Sequence, residues 1–137
     1  LFTHNPGKFM IIRDFNRCRV PDWKQSNSSC MRWEAGTMNH LYTDFVSNYE
    51  RIMRQNWGYQ DWIMKAGREQ ITHWPDEWIR SYKWEMRDRA HLDRIGGIRN
   101  FKVKADPIVH DLCNVAVFHG EPHPHQVEDN WVKENWR

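Results

Sequence analysis

The chain has 137 residues, with 20 basic and 18 acidic side chains, which is the length of a single domain with a real core. The formal net charge of +2 implies no polyanionic partner, so nucleic acid is not expected to bind. No apolar run approaches the roughly 20 residues of a membrane span, and none is expected.

Two counts stand out: nine tryptophans and eight histidines. A tryptophan ring covers a core more often than it stacks on a sugar, and both interpretations stay open. The three cysteines, Cys18, Cys30 and Cys113, have no CxxC spacing. That pattern indicates reduced thiols and a cytoplasmic location.

The first part of the chain predicts a strand, a second strand and two helices. The first strand is an unbroken apolar run of the kind buried on both faces, and it ends at Asp14. Thr37 is the predicted N-cap of the long helix, and Gly58 separates the two helices. The predicted ranges are strands at 8–14 and 28–34 and helices at 38–55 and 60–66.

The long helix is predicted from apolar residues that recur every three or four positions. We expect these residues to face the core: Leu41, Tyr42, Phe45, Tyr49, Ile52 and Met53. In the shorter helix, Trp62 and Ile63 are expected to point inward.

The second part predicts further strands and a closing helix. A polar, glycine-containing excursion separates the strands, and the last helix buries Val127 and Trp131. The predicted ranges are strands at 78–84, 101–104 and 115–118, the excursion at 85–100 and a helix at 127–136.

Three histidines follow the predicted strand at 115–118. Gly120 and two prolines end this strand, so His119, His123 and His125 are expected on a stiff loop beyond its carboxyl end. Ligands bind at such edges in open α/β sheets. The histidines are candidate ligands for a transition metal, and a rigid turn with incidental histidines is the alternative.

Three segments resemble, in order and rough spacing, motifs of the family 8 glycosyltransferases, the glycogenin-like and bacterial galactosyltransferase-like enzymes. Residues 26–31 resemble the family's Asn-Ser-Gly stretch, and residues 59–61 lie where it carries Asp-Gln-Asp. Residues 120–125 are similar to its C-terminal Gly-x-x-Lys-Pro-Trp. Glycosyltransferase-like proteins of phages and bacteria are more similar still, at residues 13–15, 28–33, 81–83 and 118–122.

The resemblance implies an α/β fold, the C-terminal part of a GT-A-type domain with a mixed sheet flanked by helices. It implies transfer of a sugar from a nucleotide-sugar donor to a glycan or small-molecule acceptor. Mn²⁺ or another divalent cation would neutralise the leaving diphosphate.

The same resemblance implies roles for individual residues. Gln60 would stabilise a developing oxocarbenium ion or orient the acceptor. The implied catalytic residues are Gln60 and Asp61; the donor-binding residues are Asp14, Asn27, Ser28, Gly120 and His123; the metal ligand is His119.

The sequence departs from the family pattern at several positions. Val117 stands where the family has a metal-binding histidine, and His119, two residues on, points to the same side of an extended strand and is the expected substitute. His123 replaces a lysine and Tyr59 an aspartate. The family's Asp-x-Asp motif is absent, so residues 1–137 are expected to form one domain that is the C-terminal portion of a larger one. Such a portion would expose a sheet edge, which makes an oligomer possible.

Three functions stay open. The first is the acceptor-side part of a metal-dependent glycosyltransferase whose N-terminal nucleotide-binding strands lie upstream. The second is a non-catalytic, tryptophan-rich module that binds carbohydrate or protein. The third is a small histidine metalloprotein.

Overall fold

The computed structural model describes residues 3–87 and 107–136. Contacts divide the chain into two units. The first consists of Leu1–Arg17 and Asp22–Trp74, and the second of Cys18–Pro21 and Pro75–Arg137. The predicted strand at 101–104 and most of the predicted excursion at 85–100 lie outside the described residues.

The first unit is built around strand β1 (Phe9–Arg13). β1 pairs antiparallel with β2 (Ser26–Arg32) and parallel with β3 (Ile71–His73), so the sheet is mixed and its order is β2-β1-β3. Residues 9–12 are at most 3% exposed, which confirms the predicted strand buried on both faces. A central strand with neighbours on both sides is where such a run is expected.

The pairing of β1 with β2 contains a bulge. Ile11 is opposite Met31, but the next residue, Ile12, is opposite Asn27. Three residues of β2, 28–30, therefore stand between these two pairs. Bulges of this kind redirect side chains next to binding sites.

Two helices follow β2: α1 (Asn39–Gln55) and α2 (Tyr59–Ala66). Phe9, Ile11 and Met38 form a buried cluster against which Leu41 of α1 and Ile63 of α2 pack. The described part of the chain is therefore mixed α/β, with a small mixed sheet flanked by helices, as predicted. No described helix has the length and apolar character needed to cross a membrane.

Two details of α1 differ from prediction. The Thr37 hydroxyl donates to the Glu34 carbonyl at 2.8 Å, and the helix begins after Met38 without a side-chain cap. Thr37 closes the preceding turn with its hydroxyl, so it does not cap the helix. At Asn48 the backbone leaves helical angles (φ −135°), and its side-chain amide donates to the Asp44 carbonyl at 3.2 Å.

The predicted inward face of α1 is partly wrong. Ile52 is buried and Leu41 and Phe45 are half-buried, but the other three residues are exposed: Tyr42 by 72%, Tyr49 by 56% and Met53 by 66%. Spacings of three and four describe two neighbouring stripes of one helix. Leu41 packs against the buried cluster that contains Phe9 and Ile11, whereas Tyr42, Tyr49 and Met53 lie on the neighbouring stripe.

The second unit contains two short parallel strands, β4 (Ile79–Ser81) and β5 (Val115–Val117). β4 is shorter than the predicted strand at 78–84 because a π-helical turn, Tyr82–Met86, follows it. Ser81 Oγ accepts from the Trp84 amide at 3.1 Å, and Glu85 accepts from the Ser81 amide at 2.7 Å. These two bonds fix the start of the turn and end the strand, as a capping box does for a helix.

The core of the second unit is the buried side chain of Tyr82, with Val127 and Val132. The Phe118 ring stacks on Tyr82 with centroids 4.2 Å apart. Helix α3 (Asn130–Asn135) supplies Val132. It is shorter than the predicted 127–136, because Val127 and Asp129 have extended backbone angles.

Candidate functional site

Asp14 follows β1 directly, and its carboxylate accepts three hydrogen bonds. Oδ1 accepts from the Asn16 backbone amide at 2.9 Å and from its side-chain amide at 2.7 Å. Oδ2 accepts from Asn27 Nδ2 at 3.4 Å. Asn27 Oδ1 in turn accepts from the Ser29 amide at 2.9 Å. The first two predicted donor-binding residues are therefore in contact.

Gln60, the second residue of α2, contacts the bulge of β2. Its Oε1 accepts from the Ser28 backbone amide at 3.2 Å and from the Ser28 hydroxyl at 3.5 Å. Both bonds use the amide oxygen. Within the described part of the chain, Gln60 Nε2 has no hydrogen-bond partner, so it can donate to a ligand.

Asp61 occupies the first turn of α2. Its Oδ2 accepts from the Trp57 backbone amide at 3.0 Å. A carboxylate at a helix N-terminus satisfies an amide that has no partner within the helix and complements the helix dipole. This contact is structural, and the catalytic role of Asp61 stays a prediction.

His119 lies in the second unit, two residues after β5. Its Nε2 is 2.7 Å from Ser81 Oγ, and its ring meets the Trp84 ring edge-to-face with centroids 4.8 Å apart. Ser81 pairs with Val117 across the two strands, which brings its hydroxyl within reach of His119. Coordination of a metal through Nε2 would require this bond to break.

The three histidines of the loop do not form the predicted cluster. The His123 and His125 rings stack on each other, with centroids 5.6 Å apart and planes 15° from parallel, whereas His119 is bound to Ser81. Gly120 turns the chain with φ +62°, and His123 begins the 3-10 turn that follows. Among the described residues, no three histidine, cysteine or acidic side chains are placed to share a metal ion. These residues by themselves therefore do not provide a site for Mn²⁺.

Gly120 has a neighbour that the sequence did not indicate. A Cβ at position 120 would lie 3.4 Å from Lys83 Nζ, and Lys83 Nζ donates to the Glu121 carbonyl at 2.8 Å. The predicted diphosphate loop therefore has an ammonium group beside it, from the turn after β4. The sequence separation of almost forty residues gave no signal for this contact.

Burial shifts two pKa values. It raises the pKa of the Cys30 thiol in the β2 bulge and lowers the pKa of the buried Arg87 guanidinium in the second unit. Desolvation disfavours the charged form of each group. No disulfide joins the three cysteines, all of which the structure describes.

An aromatic cavity of about 430 Å³ lies beside α1 and α2 in the first unit. This volume is within the range of small-molecule pockets. Trp62 Nε1 donates to the Leu41 carbonyl at 3.3 Å, which fixes one wall. The aromatic residues of the wall are Phe9, Trp33, Tyr42, Phe45, Tyr59 and Trp62. The helical spacing of Tyr42 and Phe45 in α1 was the available signal, but it predicted a core face and not the wall of a cavity.

Comparison with known protein families, with curated proteins and with solved structures finds no significant match to this chain.

Proposed function

We propose that the chain is the C-terminal part of a GT-A-type glycosyltransferase that transfers a sugar from a nucleotide-sugar donor. The observation that carries the proposal is the pair of contacts between Asp14 and Asn27 and between Ser28 and Gln60. The resemblance assigns these four residues to the donor sugar and the reacting centre. They lie in one unit, where β1 ends, β2 begins and α2 begins.

The contacts suit the recognition of sugar hydroxyls, which both donate and accept hydrogen bonds. The Asn27–Asp14 bond of 3.4 Å is longer than the usual range of about 2.7–3.2 Å. A sugar hydroxyl placed between the two side chains would donate to the carboxylate and accept from the amide. It would replace a weak bond with two stronger ones.

The orientation of Gln60 favours one of its two expected roles. Its oxygen accepts from Ser28 twice, so the side chain offers N–H groups to a ligand. An N–H donor does not stabilise a developing oxocarbenium ion, whereas it can hold an oxygen of the acceptor. We therefore assign Gln60 to orientation of the acceptor.

The remaining roles rest on the resemblance alone. They are the diphosphate contacts of Gly120 and His123, the metal contact of His119 and the catalytic role of Asp61. The divalent cation belongs to this group as well.

Calorimetry on the full-length protein, which would include the upstream nucleotide-binding strands, with nucleoside-diphosphate sugars in the presence and absence of Mn²⁺ tests the proposal. Binding is expected for one donor, with a loss of about tenfold in Asn27→Ala, which corresponds to one hydrogen bond of about 1.4 kcal/mol. Gln70→Ala is the matched control, since Gln70 is exposed in the same unit. Absence of binding across the common nucleotide sugars, or an equal loss in the control, would refute the proposal.

The aromatic cavity favours a second candidate function, a non-catalytic module that binds carbohydrate. Aromatic rings offer flat apolar faces, and such pockets bind ligands largely through them. Tyr42 and Tyr59 are about 70% exposed at its edge, so both rings are accessible.

Binding of free oligosaccharides separates the two functions. If the chain is a carbohydrate-binding module, Tyr42→Ala is expected to weaken its affinity for the oligosaccharide when no nucleotide is present. Gln60→Ala is expected to leave that affinity unchanged. If the chain is part of a transferase, Gln60→Ala is expected to weaken binding of the oligosaccharide acceptor, and this binding is expected to require the nucleotide-sugar.

A further inference from the structure

A second cavity in the first unit, of about 470 Å³, is lined by basic side chains. It lies between the start of β2, strand β3 and the C-terminal end of α2. Lys24, Lys65 and Arg68 line it together with His73, and none of its eight lining residues is acidic. Glu69 follows Arg68 in sequence but is not part of the lining.

The positive charge of this cavity is not neutralised by the described part of the chain. Lys24 and Arg68 have no ion pair or hydrogen bond among the described residues. Lys65 Nζ donates to the Gln55 carbonyl at 3.1 Å and to Asn56 Oδ1 at 2.7 Å. Neither acceptor lines the cavity, so the Lys65 ammonium is held at the C-terminal end of α1. Lys24 and Arg68 are therefore the cations available to an anion in the cavity.

The cavity also contains a polar pair held by the sheet. Ser26 is 2% exposed, and its Oγ lies 2.9 Å from His73 Nε2. Ser26 pairs with Arg13 and His73 with Ile11, so the two residues flank β1 from opposite sides. A buried hydroxyl and an imidazole at fixed positions can hydrogen-bond to the oxygens of an anion.

We propose that this cavity binds a phosphate group carried by a small molecule. The guanidinium of Arg68 matches two oxygens of a phosphate, and the ammonium group of Lys24 supplies a point charge. The volume accommodates a phosphate together with the group that it esterifies. The cavity adjoins the cluster of Asp14, Asn27 and Gln60, since Ser26 directly precedes Asn27 and the Gln25 carbonyl accepts from the Asp14 amide at 2.8 Å. Its cations are not part of that cluster, and the proposal does not depend on the proposed function.

The test is calorimetry at low salt with three probes: inorganic phosphate, glucose 6-phosphate and uridine diphosphate. Arg68→Gln and Lys24→Gln are each expected to weaken binding by about tenfold or more, as for one charge-assisted hydrogen bond. Both residues are exposed on one side, so folding is expected to persist, and an unchanged melting temperature verifies it. Tighter binding of one ester identifies the source of the phosphate, and equal binding of all three points to free phosphate.

Arg51→Gln is the matched control, because it removes one charge from the exposed surface of α1 in the same unit. Its affinity for each probe is expected to stay within about twofold of the original protein, since exposed charges at a distance are screened. Lack of binding by all three probes, or an equal loss in Arg51→Gln, would overturn the proposal.

Discussion

At the scale of single residues, Cys30 gives a prediction that depends only on burial. Burial raises the pKa of its thiol, and the thiolate is the reactive form. In a protein with Cys18→Ser and Cys113→Ser, we expect alkylation of Cys30 to be slower near neutral pH than that of an unstructured cysteine peptide. The midpoint of rate against pH is expected above about 8.5, the ordinary value for cysteine.

Iodoacetamide kinetics over a range of pH measure this midpoint, and the same protein in denaturant is the control. Unfolding removes the burial, so the midpoint is expected to return to that of the peptide. A midpoint in the folded protein at or below that of the peptide would show that the thiol is not desolvated.

His123 gives a second prediction, which belongs to the glycosyltransferase proposal. A lysine, which the family carries at this position, keeps its charge at every physiological pH. If His123 contacts the donor diphosphate, His123→Lys is expected to strengthen binding of the donor, and calorimetry on the full-length protein measures both affinities. Equal affinities for the two proteins would mean that His123 is only part of a turn.

Some contacts of single residues could be predicted from the sequence, and others could not. The resemblance named Asp14, Asn27, Ser28 and Gln60, and the structure brings them into contact in pairs. The grouping of His119 with His123 and His125 as candidate metal ligands came from their spacing and was wrong, because spacing along a chain does not give the direction of the turn at Gly120. Contacts between distant segments, such as that of Lys83 with the Glu121 carbonyl, have no local signal.

At the scale of elements, α2 is tied to α1 through the side chain of Trp62, which donates to the Leu41 carbonyl. Truncation of a core tryptophan costs about 3–5 kcal/mol, and Trp62 is half-buried, so we expect Trp62→Ala to cost roughly 2 kcal/mol. Trp57→Ala is the matched control, because Trp57 is fully exposed and is expected to change stability by less than about 0.5 kcal/mol. Urea unfolding followed by circular dichroism measures both. Equal effects would contradict the structural role of Trp62.

Tyr82 is the central buried side chain of the second unit. This side chain is fully buried, and its hydroxyl donates to the carboxylate of Asp129, which is 3% exposed and precedes α3. Tyr82→Phe keeps the ring that stacks on Phe118 and removes only this bond. We expect a loss of about 1.5–3 kcal/mol, as for a hydrogen bond to a charged group.

The control for Tyr82→Phe is Tyr42→Phe, which removes a hydroxyl from a ring that is 72% exposed. Its free energy of unfolding is expected to stay within about 0.5 kcal/mol of the original protein. Urea unfolding again gives both values. An unchanged free energy of unfolding in Tyr82→Phe would mean that the hydrogen bond to Asp129 does not stabilise the fold.

The four longer strands and helices of the first unit were predicted closely. β1, β2, α1 and α2 all follow from hydrophobic runs or helical periodicity, and their observed bounds differ from the predicted ones by about two residues. β3 was not predicted, because its three residues, Ile-Thr-His, are too few to show a period. It forms because β1 offers a free edge for parallel pairing at Phe9 and Ile11, which is a tertiary effect.

At the scale of the whole molecule, the mixed α/β class follows from the order of strands and helices. The distribution of charge does not follow from composition. A net charge of +2 indicates a nearly balanced surface, yet three cations line one cavity without an acidic residue. Sequence separates Lys24 from Lys65 and Arg68 by about forty positions, and only the packing of α2 beside β2 and β3 brings them together.

This contrast between local and total charge predicts how the protein responds to salt. Binding to duplex DNA depends on many cations along an extended surface, and a protein with six to ten phosphate contacts loses about 10³–10⁵ in affinity between 50 and 200 mM salt. With 20 basic and 18 acidic side chains, this chain has no such excess. We expect no measurable binding of duplex DNA at physiological salt, because its cations are balanced outside the basic cavity.

Phosphate binding in the cavity is expected to depend on salt much less steeply. Its cations lie within a few ångströms of the bound group, which is shorter than the screening length of about 8 Å at physiological salt. Calorimetry with a phosphate ester and fluorescence anisotropy with labelled DNA, both over the same range of salt, compare the two. Tight, steeply salt-dependent binding of DNA that Arg68→Gln weakens would show that the cavity is one end of an extended basic surface. Shallow salt dependence with the ester and no binding of DNA is the result expected for a local site that holds one phosphate.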